Sequence, residues 1–205
     1  CDLRSGYYQV SLAKQDSDKT AFISHRGLHR YTVMPMGLMN APSTFQRLMD
    51  LVMSGLVFEV CLVYLDDIVI FSRSLDEHLQ RLELVLQRLI ATGLKLKPCK
   101  CNLLQRQVTF LGHVISEEGI ATDPAKTEQI AAWPTPNSVH EVRQFLGLCS
   151  YYRRFVSHYA EKASPLTALL KKGQKFCWTE SCRDAFQTLK EALMSPPILG
   201  MPREP

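Results

Sequence analysis

The sequence predicts an α+β fold: an antiparallel sheet with packed helices up to about Glu118, then helices joined by short polar turns. Three observations carry this. First, Asp66 and Asp67 stand between two apolar runs, 60–65 and 68–71. Both runs are rich in β-branched and aromatic residues, which marks strands buried on both faces, joined by a tight hairpin with the acids at its tip. Second, Leu75, Leu79, Leu82, Leu86 and Leu89 recur at helical spacing, with Asp76, Glu77, Arg81, Glu83 and Arg88 on the other side. Third, helix-start signals recur after Gly119, among them Asp123-Pro124 and the capping box Ser138-Val139-His140-Glu141.

The remaining elements follow in order. Asp2 precedes a break at Ser5-Gly6, so a strand ending there would present that acid at a sheet edge. Asn40 is placed to cap a helix with Pro42 in its first turn, and Phe45, Leu48, Met49 and Val52 form its core stripe. Gly93 stops the leucine-striped helix. Phe110-Leu111-Gly112-His113, flanked by Val108 and Val114-Ile115, predicts a second hairpin. Trp133-Pro134 ends the helix that Asp123 caps. The capping box is worth about 1 kcal/mol and opens a helix with Val142, Phe145, Cys149 and Tyr152 on one stripe. A further helix covers 163–170, and Trp178-Thr179 leads into a last one carrying Ala185, Phe186, Leu189 and Leu193, ended by Pro196-Pro197.

Adjacent carboxylates pose an electrostatic problem. Two such charges about 4 Å apart repel by roughly 4 kcal/mol at an effective dielectric near 20. An apolar sheet beside them makes the conflict worse, and divalent cations would remove it. Ordinary turn chemistry is the alternative, because aspartate favours turns in its own right.

Ordered motifs decide between these readings. Cys1-Asp2-Leu3-Arg4-Ser5-Gly6-Tyr7-Tyr8-Gln9-Val10, Thr20-Ala21-Phe22, the block from Val33 to Gln46 around Pro35-Met36-Gly37-Leu38, and Tyr64-Leu65-Asp66-Asp67 come first. Gly93-Leu94-Lys95-Leu96-Lys97-Pro98-Cys99-Lys100-Cys101, Phe110-Leu111-Gly112-His113, Phe145-Leu146-Gly147-Leu148, Tyr151-Tyr152-Arg153-Arg154-Phe155 and Pro165-Leu166-Thr167 follow. In that order they resemble the reverse transcriptases of gypsy-type LTR retrotransposon Pol polyproteins, across nearly the whole chain.

The resemblance implies a palm over 1–118, a helical thumb over 119–172 and the start of a connection toward ribonuclease H over 173–205. The fingers are expected ahead of this stretch, which is expected to be part of a longer polyprotein. It implies RNA-directed DNA polymerase activity, with Asp2, Asp66, Asp67 and Lys100 as catalytic residues. Asp2, Leu3, Asp66 and Asp67 would hold two Mg2+ ions, for which Mn2+ could substitute; hard oxygen donors suit either ion. Asp67 takes the looser ligand role. Lys95 and Lys97 compete with Lys100 for the place beside the leaving pyrophosphate, and a solvated charge run is the plain alternative for all three. Tyr7, Met36 and Gly37 would contact the nucleotide, Tyr7 as the ring that excludes a 2′-hydroxyl. The family more often has Phe at the position of Met36. Gln46, Tyr64, Phe110, Leu111, Gly112 and His113 would contact template or primer; an ordinary turn histidine is the alternative for His113. The implied partners are an RNA or DNA template with its primer, and dNTPs.

Composition bounds this without deciding it. The 205 residues are 46% hydrophobic and 21% charged, ordinary for a globular protein with one sizeable core and a second small one. The net charge of +4 says little alone. Clusters say more: Arg26 with Arg30, 95–100, Arg153-Arg154, and Lys171-Lys172 with Lys175, interleaved by Tyr151, Tyr152 and Phe155, suit a phosphate backbone. Seven irregularly spaced cysteines favour reduced thiols in the cytoplasm or nucleus over secretion, and the resemblance implies a virus-like particle as the cytoplasmic setting. No apolar stretch approaches the roughly 20 residues of a membrane span, and no membrane partner is expected. Two other function classes compete. One is an incompetent or domesticated remnant that binds nucleic acid or a partner; the other is a two-metal phosphodiesterase, which would need neither Tyr7 nor the Pro35 block. No residues here could carry ribonuclease H activity.

Overall fold

The computed structural model describes residues 1–195, Pro197 and Leu199. The expected stop at Pro196 lies outside the described residues. The chain forms two compact units, Cys1–Gln105 and Arg106–Pro205.

In the first unit, β1 (Phe22–Ser24) and β2 (Gly27–His29) form one antiparallel ribbon, and β3 (Cys61–Tyr64) and β4 (Asp67–Ile70) another. The helices are a short α1 (Lys14–Ser17), α2 (Ala41–Val52) and α3 (Leu75–Thr92). Phe45, Met49 and Val52 of α2 meet Cys61 of β3, Ile68 of β4, and Val85 and Leu89 of α3 in the core. The α2 start differs from expectation: Asn40 occupies the cap position, but its side chain makes no capping bond. Instead its carbonyl accepts from the Ser43 hydroxyl and the Thr44 N–H. In α3 the expected leucine stripe is buried only toward its C-terminal end. Leu75 and Leu79 are exposed, whereas Val85 and Leu89 are buried. Ser74 caps this helix by accepting from the Glu77 N–H, and Glu77 accepts from the Arg73 N–H, a capping box that holds the chain leaving β4. Gly93 ends it at φ 73, a left-handed conformation that glycine adopts without strain.

The second unit holds a three-stranded antiparallel sheet, β5 (Val108–Phe110), β6 (His113–Ser116) and β7 (Gly119–Thr122), and the helices α4 (Pro124–Ala131), α5 (Val139–Tyr151), α6 (Tyr159–Ala168) and α7 (Glu180–Met194). The hairpin 108–116 belongs to the same compact unit as these helices. Strand β7 is a further departure, because helices were expected straight after Gly119. Its pairing Ser116↔Gly119 to His113↔Thr122 adds a third strand before the helices begin. The core stripe of α5 is Val142, Phe145, Leu146 and Cys149, joined by Tyr152 just beyond it and by Leu166, Leu189 and Leu193. Asp123, Ser138 and Thr179 each cap the helix that follows by accepting a backbone N–H. Among the described residues no helix is long and apolar enough to cross a membrane.

Candidate active site

The acidic hairpin of the first unit is a two-residue turn. Tyr64 pairs with Asp67, so Leu65 and Asp66 form the tip, and Asp67 is the first residue of β4. The acids were expected to form the tip together; the register moves them by one residue. Leu65 takes φ 53, a region that costs a leucine of order 1–3 kcal/mol and persists only where its surroundings enforce it. The ribbon is also less buried than its apolar runs suggested. Only Cys61 and Ile68 are buried, and Tyr64 is exposed.

Asp2 reaches this hairpin through backbone pairing. Residues 1–4 lie between β4 and the segment after α3. On one side Ile68 N–H donates to Cys1 O at 2.8 Å and Leu3 N–H to Asp66 O at 3.2 Å. On the other, Arg4 N–H donates to Lys95 O at 2.8 Å and Lys97 N–H to Asp2 O at 2.9 Å. Asp2 is bridged to Asp67 in antiparallel fashion, and Leu3 to Leu96. The bonds flank the Asp2–Asp67 pair instead of joining it, the arrangement in which opposed side chains stand closest, with Cβ atoms about 4.5–5.5 Å apart. Both carboxylates thus leave the same face. Leu3 leaves the opposite one and is buried in the core, so only its backbone could serve as a donor to an ion.

Lys100 completes the cluster. It is the last residue of a short 3₁₀ turn, Pro98–Lys100, and its Nζ donates to Asp2 Oδ2 at 2.9 Å. That bond, with the charges of Asp2, Asp66 and Asp67, holds the ammonium above its ordinary pKa. Lys95 and Lys97, its competitors, serve the sheet with their backbone. Burial first, then the charges of Asp66 and Asp2, push the Asp67 carboxyl above its ordinary value of 3.8; the amino terminus and Lys100 oppose them.

The three carboxylates are hard oxygen donors within electrostatic reach of one another, which fits magnesium chemistry. Among the described residues, however, no three His, Cys, Asp or Glu side chains converge closely enough to hold an ion. One Asp2 oxygen is instead taken by the Lys100 ammonium. A stability test follows. Folded Asp67 binds its proton more tightly than the unfolded chain does, so its ionisation weakens the fold as pH rises through the carboxylate range, and the penalty persists at neutral pH. Without divalent ions, Asp67→Asn is expected to melt above the parent at about pH 7, with the gain vanishing near pH 3. A lower melting temperature at neutral pH would contradict this.

Other expected residues lie around or away from the cluster. Tyr7 is half-buried in the 3₁₀ turn Gly6–Gln9, and its ring meets the Phe45 ring edge-on at 5.3 Å. Met36 is exposed and Gly37 takes φ 93; a Cβ there would meet nothing within 4 Å, so the backbone angle, not crowding, calls for glycine. The Gln46 side chain is engaged by Leu65 and Asp50.

Phe110, Leu111, Gly112 and His113 form the β5–β6 hairpin of the second unit, with Leu111 at φ 48 and Gly112 at φ 68. The Tyr151 hydroxyl donates to Leu111 O, and that of Tyr152 to Gly112 O at 2.6 Å. His113 packs against Tyr151, Tyr152 and Phe155 with centroids 5.2, 5.5 and 5.8 Å away. Tyr152 and Phe155 are buried, so of the aromatic residues expected to line a basic surface only Tyr151 is exposed.

Gln9 escaped the sequence reading. Its amide donates to Arg4 O and Lys95 O and accepts from Lys95 N–H, locking residues 1–4 against the segment that leads to Lys100. A partner 86 residues away leaves no local pattern to find.

An α+β unit whose paired strands carry two acids on one face, with a third acid and a lysine beside them, defines a carboxylate centre. Residues 1–115 match the family described as "Reverse transcriptase (RNA-dependent DNA polymerase)", and the chain belongs to it. That family generally uses divalent metals. The chain is 43% identical over 203 residues to the retrovirus-related Pol polyprotein from transposon 297 of Drosophila melanogaster, covering 98% of this chain and 19% of that protein. Against the corresponding polyprotein from transposon gypsy of the same organism it is 36% identical over 209 residues, covering 97% and 20%. The chain thus spans about a fifth of the length of these curated relatives. The resemblance to gypsy-type elements read from the motifs is borne out. A foamy viral protease-reverse transcriptase solved with double-stranded DNA has a TM-score of 0.90 at 28% identity, covering 97% of this chain and 35% of that one. One solved with an RNA/DNA hybrid has a TM-score of 0.85 at 28% identity, covering 97% and 27%.

Proposed function

We propose that this chain is the polymerase segment of a retrotransposon Pol polyprotein and extends a primer 3′-hydroxyl with dNTPs on an RNA or DNA template. The observation that carries this reading is the registered pairing of Asp2 with Asp67 beside Asp66, in a chain of this family. Asp2, Asp66 and Asp67 are the residues that would hold the metal. Two Mg2+ ions, or Mn2+ in their place, would supply Lewis-acid charge to the attacking and leaving oxygens of the displacement. Lys100, whose Nζ already faces these acids, neutralises charge on the departing pyrophosphate. Tyr7, backed by Phe45, presents its ring to the sugar of the incoming nucleotide, and Met36 and Gly37 contribute the nearby surface. The hairpin around Leu111 and Gly112, held by Tyr151 and Tyr152, contacts the primer strand. The foamy viral relatives were solved with double-stranded DNA and with an RNA/DNA hybrid, which supports nucleic acid as the partner here. The setting we assign is the cytoplasm, within a virus-like particle, or the nucleus.

The test is extension of a DNA primer on an RNA template, with dNTPs and Mg2+, by the protein carrying this chain in its natural sequence context. Magnesium-dependent extension is expected; none from a folded protein would overturn the reading. Nucleotide choice offers a second check. Tyr7→Val opens space where a 2′-hydroxyl would sit, so its preference for dNTP over rNTP should fall about tenfold or more, since differences of this size in a pocket are worth roughly 10–200-fold. Unchanged discrimination would remove Tyr7 from that role.

A further inference from the structure

Gln46, on α2, meets the acidic hairpin at its tip. Its Oε1 accepts the Leu65 N–H at 2.7 Å, and its Nε2 donates to Asp50 Oδ1 at 2.9 Å. The two partners make opposite demands, a donor on one side and a carboxylate on the other, so only one orientation of the amide satisfies both. Leu65 is the residue held at φ 53. Across the same turn, Asp66 O accepts the Leu3 N–H. The tip is therefore gripped at consecutive residues, by a side chain on one side and by the strand bearing Asp2 on the other.

We infer that Gln46 is a positioning residue for Asp66 and Asp67: its amide enforces the left-handed Leu65 and so sets where the two carboxylates stand. The inference rests on reading those acids as the polymerase centre. It departs from the template contact that the motif suggested, because both ends of the Gln46 amide are already committed within the protein. Asp50 is part of the device, since it keeps the amide oxygen turned toward Leu65.

The test uses the protein carrying this chain in its natural sequence context, with three readouts: hydrogen exchange at the Leu65 amide, Mn2+ affinity by electron paramagnetic resonance, and single-nucleotide extension kinetics. Gln46→Met keeps the length of the side chain and loses both bonds. It should speed Leu65 exchange by about tenfold and lower kcat by about tenfold or more, as expected for one lost hydrogen bond to a partly buried amide. Mn2+ should bind more weakly, while KM for dNTP and affinity for template–primer stay within about twofold. In Gln46→Glu with Asp50→Asn, the new carboxylate accepts from Leu65 and the new amide donates to it, at unchanged total charge. This double variant should bring exchange and kcat back to within about threefold of the parent. Unchanged Leu65 exchange, unchanged kcat, or a loss confined to template–primer affinity would overturn the inference. A parent that extends no primer would strike the polymerase reading instead, and Leu65 exchange and Mn2+ affinity would then decide the positioning role alone.

Discussion

Asp66→Asn should lower the rate of primer extension by at least about a thousandfold, because a metal's charge on a phosphoryl oxygen is worth several kcal/mol and each 1.4 or so is a factor of ten. Asparagine has the same shape and removes only the negative charge. The bond that ties Asp66 to the sheet is made by its backbone carbonyl to the Leu3 N–H, so the substitution leaves it in place. Loss of activity should therefore come without loss of fold. Single-turnover extension with saturating Mg2+, beside a thermal melt of the same sample, separates the two effects. A variant that melts like the parent and keeps a tenth or more of its rate would remove Asp66 from the chemistry.

Phe45→Ala should produce the largest stability change in the first unit, about 3–5 kcal/mol by the usual behaviour of a fully buried phenylalanine. Phe45 is 0% exposed at the centre of that core. Its ring lies so close to Gly6 that a Cβ there would come within 2.7 Å of it, and it meets Tyr7 edge-on. Removing it opens a cavity under the turn that carries Tyr7, so nucleotide selectivity should loosen along with stability. Urea unfolding followed at the first unit measures the effect; a loss below about 1 kcal/mol would mean that the site collapses around the gap.

Much of this fold was legible because its signals are local. The Leu111-Gly112 hairpin appeared as a turn between short β-branched runs, and the α5 stripe as helical spacing behind a capping box. The acidic hairpin was legible to within one residue. Turn chemistry favours aspartate at the tip, yet the register puts Leu65 there, and an amide nineteen residues upstream holds its N–H. The α3 stripe misled at its N-terminal end, where helical spacing places Leu75 and Leu79 on the apolar face but no neighbour covers them. Strand β7 was missed because Gly119-Ile120-Ala121-Thr122 is too short to show a period of two. Tyr152 carries two roles, core filling and a hydroxyl bond to Gly112, and no spacing rule predicts the second.

The three acids were found by motif, but the reason they come within electrostatic reach is long-range: residues 1–4 form backbone bonds to the hairpin and to the segment after α3. Gln9 braces the same arrangement through its bonds to Arg4 and Lys95. Lys100 lies 98 residues from Asp2 and reaches it only because that segment is held in place.

The most direct test of one shared acidic centre is anomalous diffraction from Mn2+ in crystals of the protein with primer–template and an incoming nucleotide. The account predicts two peaks roughly 3.5–4 Å apart, with oxygens of Asp2 and Asp66 sharing an ion and the Lys100 ammonium displaced from Asp2. Ordered nucleic acid with no peak at these carboxylates, or a metal held by Asp66 with Asp2 still paired to Lys100, would contradict it.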